Sequence, residues 1–370
     1  VVTTPELGEN NKTNVKTNFK TTVNNNGKDS ATFTVVNTVF PRGGKPEQKI
    51  AEVSSEKTVE AAKSATVEAT ANTTSAPQLW STTSPNLYTV RTQIKQGDKV
   101  VDTYDVDFGY RFFNFDANNG FTLNGQKMKI KGVCMHHDQG ALGSVSSRDA
   151  LERQVKLLKD MGCNAIRTSH NAPAKELVEI CNEQGMMLDV EFFDGLAWPK
   201  NGNGKDYARF FKQKMGESEL VGCDKDKIWA QFDLEQGIAR DINSPAVIMW
   251  SLGNEMSEGA AGYDQSQART ILQNLITWAQ AADPTRVVTT GDNKMKGNAS
   301  DGTLSSDLIG DAKGKGGVVG LNYATSAQYQ SVHKAKPNWC MIGSETASAT
   351  NSRGVYTTKQ SNTLDGNKLL

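Results

Sequence analysis

Two hydrophobic rhythms divide this chain. Through about residue 110, apolar and polar side chains alternate with a period of two. Tyr88, Val90, Thr92 and Ile94 point one way with Thr89, Arg91 and Gln93 between them, and Val67, Ala69 and Ala71 repeat the pattern. Asn26-Gly27 lies between two β-rich runs and predicts a type I′ hairpin turn, because both residues can take positive φ. Gly97-Asp98 plays the same part between Ile94 and Val100. No helix-period segment of useful length interrupts this region. Short strands with regular turn signals predict an immunoglobulin-like β-sandwich over residues 1–112. The Lys/Glu/Thr-rich segment 44–76 could instead be a disordered linker, although its alternation argues for strands.

From about residue 117 the rhythm changes, and apolar runs alternate with amphipathic helices. The runs begin at 128–135, 165–167, 186–190, 246–250, 286–289, 318–321 and 340–343. Helices are predicted over about 148–161, 174–184, 226–240 and 265–282. The first has Leu151, Val155, Leu158 and Met161 on one face and Gly162 as its stop; the second stops at Gly185. Strictly alternating β and α elements mean a parallel sheet. Seven units with short connections suit a (β/α)8 TIM barrel over 117–370 better than an open doubly wound sheet, and no glycine-rich phosphate loop follows the first strand. An eighth strand is not evident.

Composition narrows the function. The 41 basic and 41 acidic residues cancel, and no basic stripe marks a nucleic-acid partner. No apolar run approaches the roughly 20 residues that span a bilayer, so no membrane partner is expected. The N-terminus has no charged segment followed by an apolar one, so no signal peptide is expected within this chain. Cys134, Cys163, Cys181, Cys223 and Cys340 are irregularly spaced and contain no C-x-x-C pair, which argues for core packing rather than zinc.

Polar residues cluster just after the predicted strands, where barrel enzymes keep their chemistry. In order these are His136-His137-Asp138, Ser169-His170-Asn171, Glu191 with Asp194, Asn254-Glu255, Asp292-Asn293, Asn322-Tyr323 and Glu345. Glu255 and Glu345 each close a short apolar run. Two such carboxyl groups suit glycoside hydrolysis, which needs one carboxylic acid and one carboxylate across the scissile bond. The histidines could be structural hydrogen-bonders, or with Asp138 hold a metal. Adjacent His136 and His137 should point to opposite sides of a strand end, and the H-E-x-x-H pattern is absent. Arg167 could be a core ion pair and Tyr323 ordinary rim packing. Gly343-Ser344-Glu345 lacks the second glycine of a serine nucleophile elbow.

A set of segments from about residue 79 to 354 resembles glycoside hydrolase family 2, which includes β-galactosidases, β-glucuronidases and β-mannosidases. They are Leu79-Trp80-Ser81, Pro85-Asn86-Leu87-Tyr88, Phe108-Gly109-Tyr110-Arg111, Leu123-Asn124-Gly125, Gly132 to His137, Asn164 to Asn171, Trp250 to Glu255 and Gly343 to Thr346. They are most like bacterial β-galactosidases.

The resemblance implies a retaining mechanism with Glu255 as general acid/base and Glu345 as nucleophile, their carboxyl groups roughly 5–5.5 Å apart. Glu255 would have to start protonated near neutral pH. The resemblance also implies that Asn254 binds the sugar 2-hydroxyl and that His136 and His170 bind sugar. Arg167 and Tyr323 would hold and tune the nucleophile at the edge of the substrate site. Glu191 matches a magnesium-ligand position in some β-galactosidases. Magnesium or sodium is thus admitted by the resemblance, but no clear ligand set is present, so no cofactor or metal is assigned.

The expected partner is a carbohydrate substrate, and a homo-oligomer is left open. The pattern departs from the family at both ends. Nothing represents the jelly-roll domain before the sandwich, nor the eighth barrel strand with its aromatic residue. The chain is therefore expected to be an internal fragment with unpaired edges on strands one and seven. The expected activity is hydrolysis of terminal β-galactosides. β-Glucuronidase activity is the alternative within the family, and a weakly active carbohydrate-binding fragment the alternative outside it.

Overall fold

The computed structural model describes residues 1–8, 10–196, 198–220, 223–256, 265–294 and 303–347. Seven strands come first: β1 Val2–Gly8, β2 Asn11–Asn25, β3 Ala31–Pro41, β4 Ala51–Val59, β5 Lys63–Asn72, β6 Tyr88–Gln96 and β7 Lys99–Phe108. They form two antiparallel sheets, β1-β2-β5 and β4-β3-β6-β7. Alternation explains how they pack. In β2, Val15, Phe19 and Val23 are buried while Lys16 and Lys20 face out. Segment 44–76 is therefore mostly β4 and β5, not a linker.

Gly97, at positive φ, turns β6 into β7 as expected. Asn26-Gly27 does not close a hairpin, because β2 and β3 lie in different sheets. The Asn25 side chain organises that crossing instead. It accepts from Gly27 N (2.9 Å) and donates to the Asp29 and Val59 carbonyls (both 2.9 Å). An Asn-Gly pair satisfies a crossing as readily as a hairpin, and only the pairing partners separate the two.

A small antiparallel sheet follows, made of β8 Phe113–Asp116, β9 Gly120–Leu123 and β10 Gln126–Lys127. Its Phe113, Phe121 and Leu123 pack into the barrel core. The seven parallel strands then run in order: β11 Gly132–His136, β12 Ala165–Ser169, β13 Met187–Glu191, β14 Val247–Asn254, β15 Val287–Asp292, β16 Gly317–Asn322 and β17 Cys340–Glu345. The helices between them are α1 Arg148–Asp160, α2 Lys175–Gln184, α3 Trp229–Asp241, α4 Gln265–Ala282, α5 Leu304–Gly310 and α6 Ser326–Ala335.

β11 begins at Gly132 rather than at Met128, where its parallel pairing with β12 starts. The outer strands β11 and β17 are only partly buried, whereas β12 and β14 are buried throughout. Across the gap between the outer two, the Cys134 thiol donates to the Ser344 carbonyl (3.2 Å). The residues after 347, where an eighth strand was sought, lie outside the described residues.

Met161, expected on the buried face of α1, lies just past its end and is 74% exposed. Helices α5 and α6 were not anticipated. α5 is seven residues long, too short for its Leu304, Leu308 and Ile309 to make a periodic pattern, and α6 buries one hydrophobic residue, Val332. The cue in α6 is its capping box, Thr325 with Gln328.

The sandwich is tied to the barrel base by polar and apolar pins. Trp80 is fully buried in the barrel core and donates through Nε1 to the Asn182 carbonyl (2.9 Å). Arg111 donates to the carbonyls of Pro245 (2.5 Å) and Val247 (2.6 Å). Asn243 grips β1 with both amide atoms, accepting from Thr3 N (2.8 Å) and donating to Val1 O (2.7 Å). A cleft of about 920 Å³ opens between β1, β2 and this base; of its two lining carboxylates, Glu68 and Asp283, the second is committed to Trp250, Thr285 and Arg286.

Candidate active site

Strands β12, β13, β14, β16 and β17 bring their last residues to one rim. Glu345 closes β17. Its Oε1 accepts from the Tyr323 hydroxyl (2.6 Å), and its Oε2 from Arg167 Nη1 (3.3 Å) and Asn322 Nδ2 (3.2 Å). Glu255 follows β14, and its Oε1 accepts from the same Asn322 Nδ2 (2.9 Å). One nitrogen within bonding reach of both carboxylates puts the two oxygens within two hydrogen-bond lengths of each other, about 6 Å at most.

The backbone accounts for this aim. The β14–β15 register shifts between Ser251 and Asn254, and the β16–β17 register shifts between Leu321 and Asn322. Such irregularities re-aim side chains at strand ends. Glu255 (φ 45°) and Tyr323 (φ 58°) both adopt the left-handed region, which is uncommon for side chains of this size. Each is pinned by a neighbouring strand, Glu255 N to Gly291 O (2.8 Å) and Tyr323 N to Glu345 O (2.7 Å). Gly291 leaves room for the cluster. A Cβ there would fall 2.6 Å from Arg167 Nη2 and 2.7 Å from Asn254 Oδ1.

Beneath the two glutamates lies a buried polar layer. Arg167 donates from Nε and Nη2 to Glu191 Oε2 (3.1 and 2.6 Å), and from Nη2 to Asn254 Oδ1 (2.9 Å). Glu191 is fully buried; its Oε2 also accepts from Ser251 (2.6 Å) and its Oε1 meets His170 Nδ1 (2.7 Å). His170 Nε2 lies 3.4 Å from Asn254 Nδ2, an arrangement satisfied when Nδ1 carries the proton. The His136 ring stands edge-on to His170, with centroids 5.0 Å apart.

Of the residues given roles from the sequence, Tyr323, Glu345, Arg167, Asn254, Glu191 and His170 are linked to one another through hydrogen bonds, Glu255 joins them through Asn322, and the His136 ring meets that of His170. Arg167 spends its donors on Glu345, Asn254, Glu191 and the Cys134 sulfur, so it reaches a substrate only through those groups. Glu191 does not fit a magnesium ligand. Its carboxylate is committed to Arg167, Ser251 and His170, and a guanidinium at 2.6 Å is a poor neighbour for a divalent cation. Asp292 is likewise spent, on the Thr303, Ser305 and Ser306 hydroxyls at the start of α5.

The electrostatics follow from this layer. Burial works against the charge on Arg167, but the Glu191 and Asp189 carboxylates outweigh it and keep the guanidinium firmly charged. Burial pushes Asp189 up to about 7, with Arg167 opposing the shift. The Tyr323 phenol is raised by burial and by its bond to Glu345, so it remains a donor to that carboxylate. His136 is lowered by burial and by His170, which favours a neutral ring.

The sequence reading gave no role to Asn322 or Ser344. Ser344 donates to Asn322 Oδ1 (2.7 Å), which turns the amide nitrogen toward the glutamates. Their position beside Tyr323 and Glu345 was the available signal.

Comparison with known proteins bears on the family and the fold. Residues 1–111 match the family model described as glycosyl hydrolases family 2, and residues 117–363 match that family's TIM barrel domain. The chain is 34% identical over 296 residues to a β-galactosidase, BoGH2A, from Bacteroides ovatus. That alignment covers 73% of this chain and 32% of that protein. It is 36% identical over 204 residues to a putative β-glucuronidase from Formosa agariphila, covering 55% of this chain and 17% of that protein. The chain therefore spans about a third or less of the length of these curated relatives. Among solved structures, a glycosyl hydrolase family 2 member from Bacteroides cellulosilyticus superposes with a TM-score of 0.78 at 30% identity, over 94% of this chain and 40% of that one.

Proposed function

The chain belongs to glycosyl hydrolase family 2, and on that premise we propose that it carries the site of a retaining β-glycosidase acting on terminal β-D-galactosides. The observation that carries this reading is the shared contact of Asn322 Nδ2 with Glu255 and Glu345. It holds one oxygen of each carboxyl group within about 6 Å of the other, which favours the close spacing of a retaining pair over the roughly 6.5–9.5 Å between carboxyl groups that seats a water molecule in an inverting enzyme.

In the first half-reaction, Glu345 attacks the anomeric carbon. The glycosidic C–O bond breaks, and the Glu255 proton passes to the leaving oxygen. In the second, Glu255 takes a proton from water, whose oxygen displaces Glu345 from the same carbon. The Tyr323 hydroxyl and Arg167 keep the Glu345 carboxylate oriented for attack. Asn254 is held by Arg167 with its amide nitrogen toward His170, where a sugar 2-hydroxyl would sit.

The choice of galactosides draws on the Bacteroides ovatus relative, whose match covers more of this chain than the Formosa one. A second reading, β-glucuronides, is favoured by one feature. Lys200 reaches the rim with its Nζ 3.4 Å from the Asn254 carbonyl, and a sugar carboxylate could compete for it with Asp194 (2.9 Å).

A panel of nitrophenyl β-glycosides tests both readings. Galactoside cleavage that Glu345→Gln abolishes is expected. Preferred cleavage of the glucuronide overturns the substrate class, and no cleavage above buffer overturns the enzyme.

A further inference from the structure

We propose that Asn322 is a positioning residue shared by the two half-reactions: a single neutral donor that sets the spacing of Glu255 and Glu345 and serves each of them in turn. This rests on the retaining reading above. Asn322 Nδ2 has two hydrogens and three acceptors in reach, namely Glu255 Oε1 (2.9 Å), Asn254 Oδ1 (3.0 Å) and Glu345 Oε2 (3.2 Å). Three acceptors for two hydrogens leave the donor free to move between carboxylates. The residue is 5% exposed, so water is a poor substitute.

Its orientation is built in. The Ser344 hydroxyl holds Oδ1 at 2.7 Å, and an amide flip would place an N–H against that hydroxyl and a carbonyl oxygen against two carboxylates. Gly320 gives the lock its room, because a Cβ there would lie 2.8 Å from Ser344 Oγ.

The chemistry needs such a donor. A retaining pair carries one negative charge in its resting state, on Glu345. After the proton has passed to the leaving group the charge is on Glu255, and Glu345 is an ester. A lysine in this place would bind whichever carboxylate it met and hold the charge there. A neutral amide follows the charge without fixing it. Arg167 and Tyr323 bond to Glu345, and Tyr323 also lies in the field of Glu255.

The test is stopped-flow hydrolysis of a 2,4-dinitrophenyl β-glycoside, the galactoside or glucuronide that the parent chain cleaves faster. It compares the parent with Asn322→Ala, Asn322→Asp and Ser344→Ala. The burst phase reads glycosylation and the steady state reads hydrolysis of the glycosyl-enzyme. In Asn322→Ala both rate constants are expected to fall by a similar factor, about 10- to 100-fold, with the burst amplitude kept. Asn322→Asp preserves the shape but puts an acceptor where a donor is needed, so it should not rescue either rate. Ser344→Ala should lower both by a smaller factor.

A variant that is only less well folded would lose amplitude and keep its rate constants. That outcome, rescue by Asn322→Asp, or an effect on one half-reaction alone overturns the shared-donor role while leaving the glycosidase reading intact. A parent chain that cleaves neither glycoside overturns both.

Discussion

Among the described residues the barrel buries two arginines, Arg167 at the rim and Arg286 at the base, and they make the same bond to different ends. Each is 5% exposed, and each contacts a fully buried carboxylate at 2.6 Å, Glu191 for Arg167 and Asp283 for Arg286. They differ in where the remaining donors go. Arg286 gives its others to the main chain, at the carbonyls of Ile242, Ser244 and Val247 (2.9, 2.7 and 2.8 Å). Trp250 Nε1 completes that cluster by donating to Asp283 (2.9 Å). Arg167 gives its others to Glu345, Asn254 and Cys134, the working side chains. One arginine fastens a loop to strands; the other aims side chains. A buried ion pair is therefore not a functional signal by itself, and what its spare hydrogens touch is the better guide.

Changes at the two ends should accordingly separate activity from stability. The largest effect is expected from Glu345→Gln, which keeps the size but removes the nucleophile. Turnover should fall on the order of 10⁴-fold or more with Tm within a few degrees of the parent, measured by nitrophenol release and thermal melts. Next, Arg286→Met leaves Asp283 buried without its cation. Breaking such a pair costs on the order of 3–5 kcal/mol, read as a shift in urea midpoint, with activity per folded molecule unchanged.

Arg167→Lys is the converse. A single ammonium cannot reproduce the forked contacts, so kcat is expected to drop about 100-fold, with a smaller loss of stability than at the base. Equal stability losses at both arginines, or loss of activity from Arg286→Met, would break the contrast.

The smallest effect concerns Asp189. Its folded value of about 7 lies above the ordinary 3.8, and its Oδ1 has no partner. The folded state thus binds more protons between those values, and this group's contribution makes stability fall as pH rises through that window. Asp189→Asn escapes that penalty. Its Tm should match the parent near pH 4 and exceed it by a few degrees at pH 8. A variant that is less stable at pH 8 than at pH 4, relative to the parent, would show that ionised Asp189 is needed beside Arg167.

Much of this could be read in the sequence. The seven barrel strands and four of the helices followed from the change of hydrophobic period, because both faces of the inner strands β12 to β15 are buried. The chemistry-bearing positions followed from the rule that strand ends meet at one rim. What could not be read depends on register and pairing. The Asn26-Gly27 crossing is locally indistinguishable from a hairpin. The shifts at Ser251–Asn254 and Leu321–Asn322 set the aim of Asn254, Glu255 and Asn322, and strict alternation carries no trace of them. The resemblance put Glu191 at a magnesium-ligand position without a clear ligand set, and only the fold shows it facing Arg167.

The most direct measurement is the anomeric configuration of the first-formed sugar, followed by ¹H NMR as the chain hydrolyses an aryl β-glycoside. Glutamates held on a shared amide predict that the β-anomer appears first and then mutarotates. Initial appearance of the α-anomer would mean that water, not Glu345, attacks the sugar, and would contradict the account.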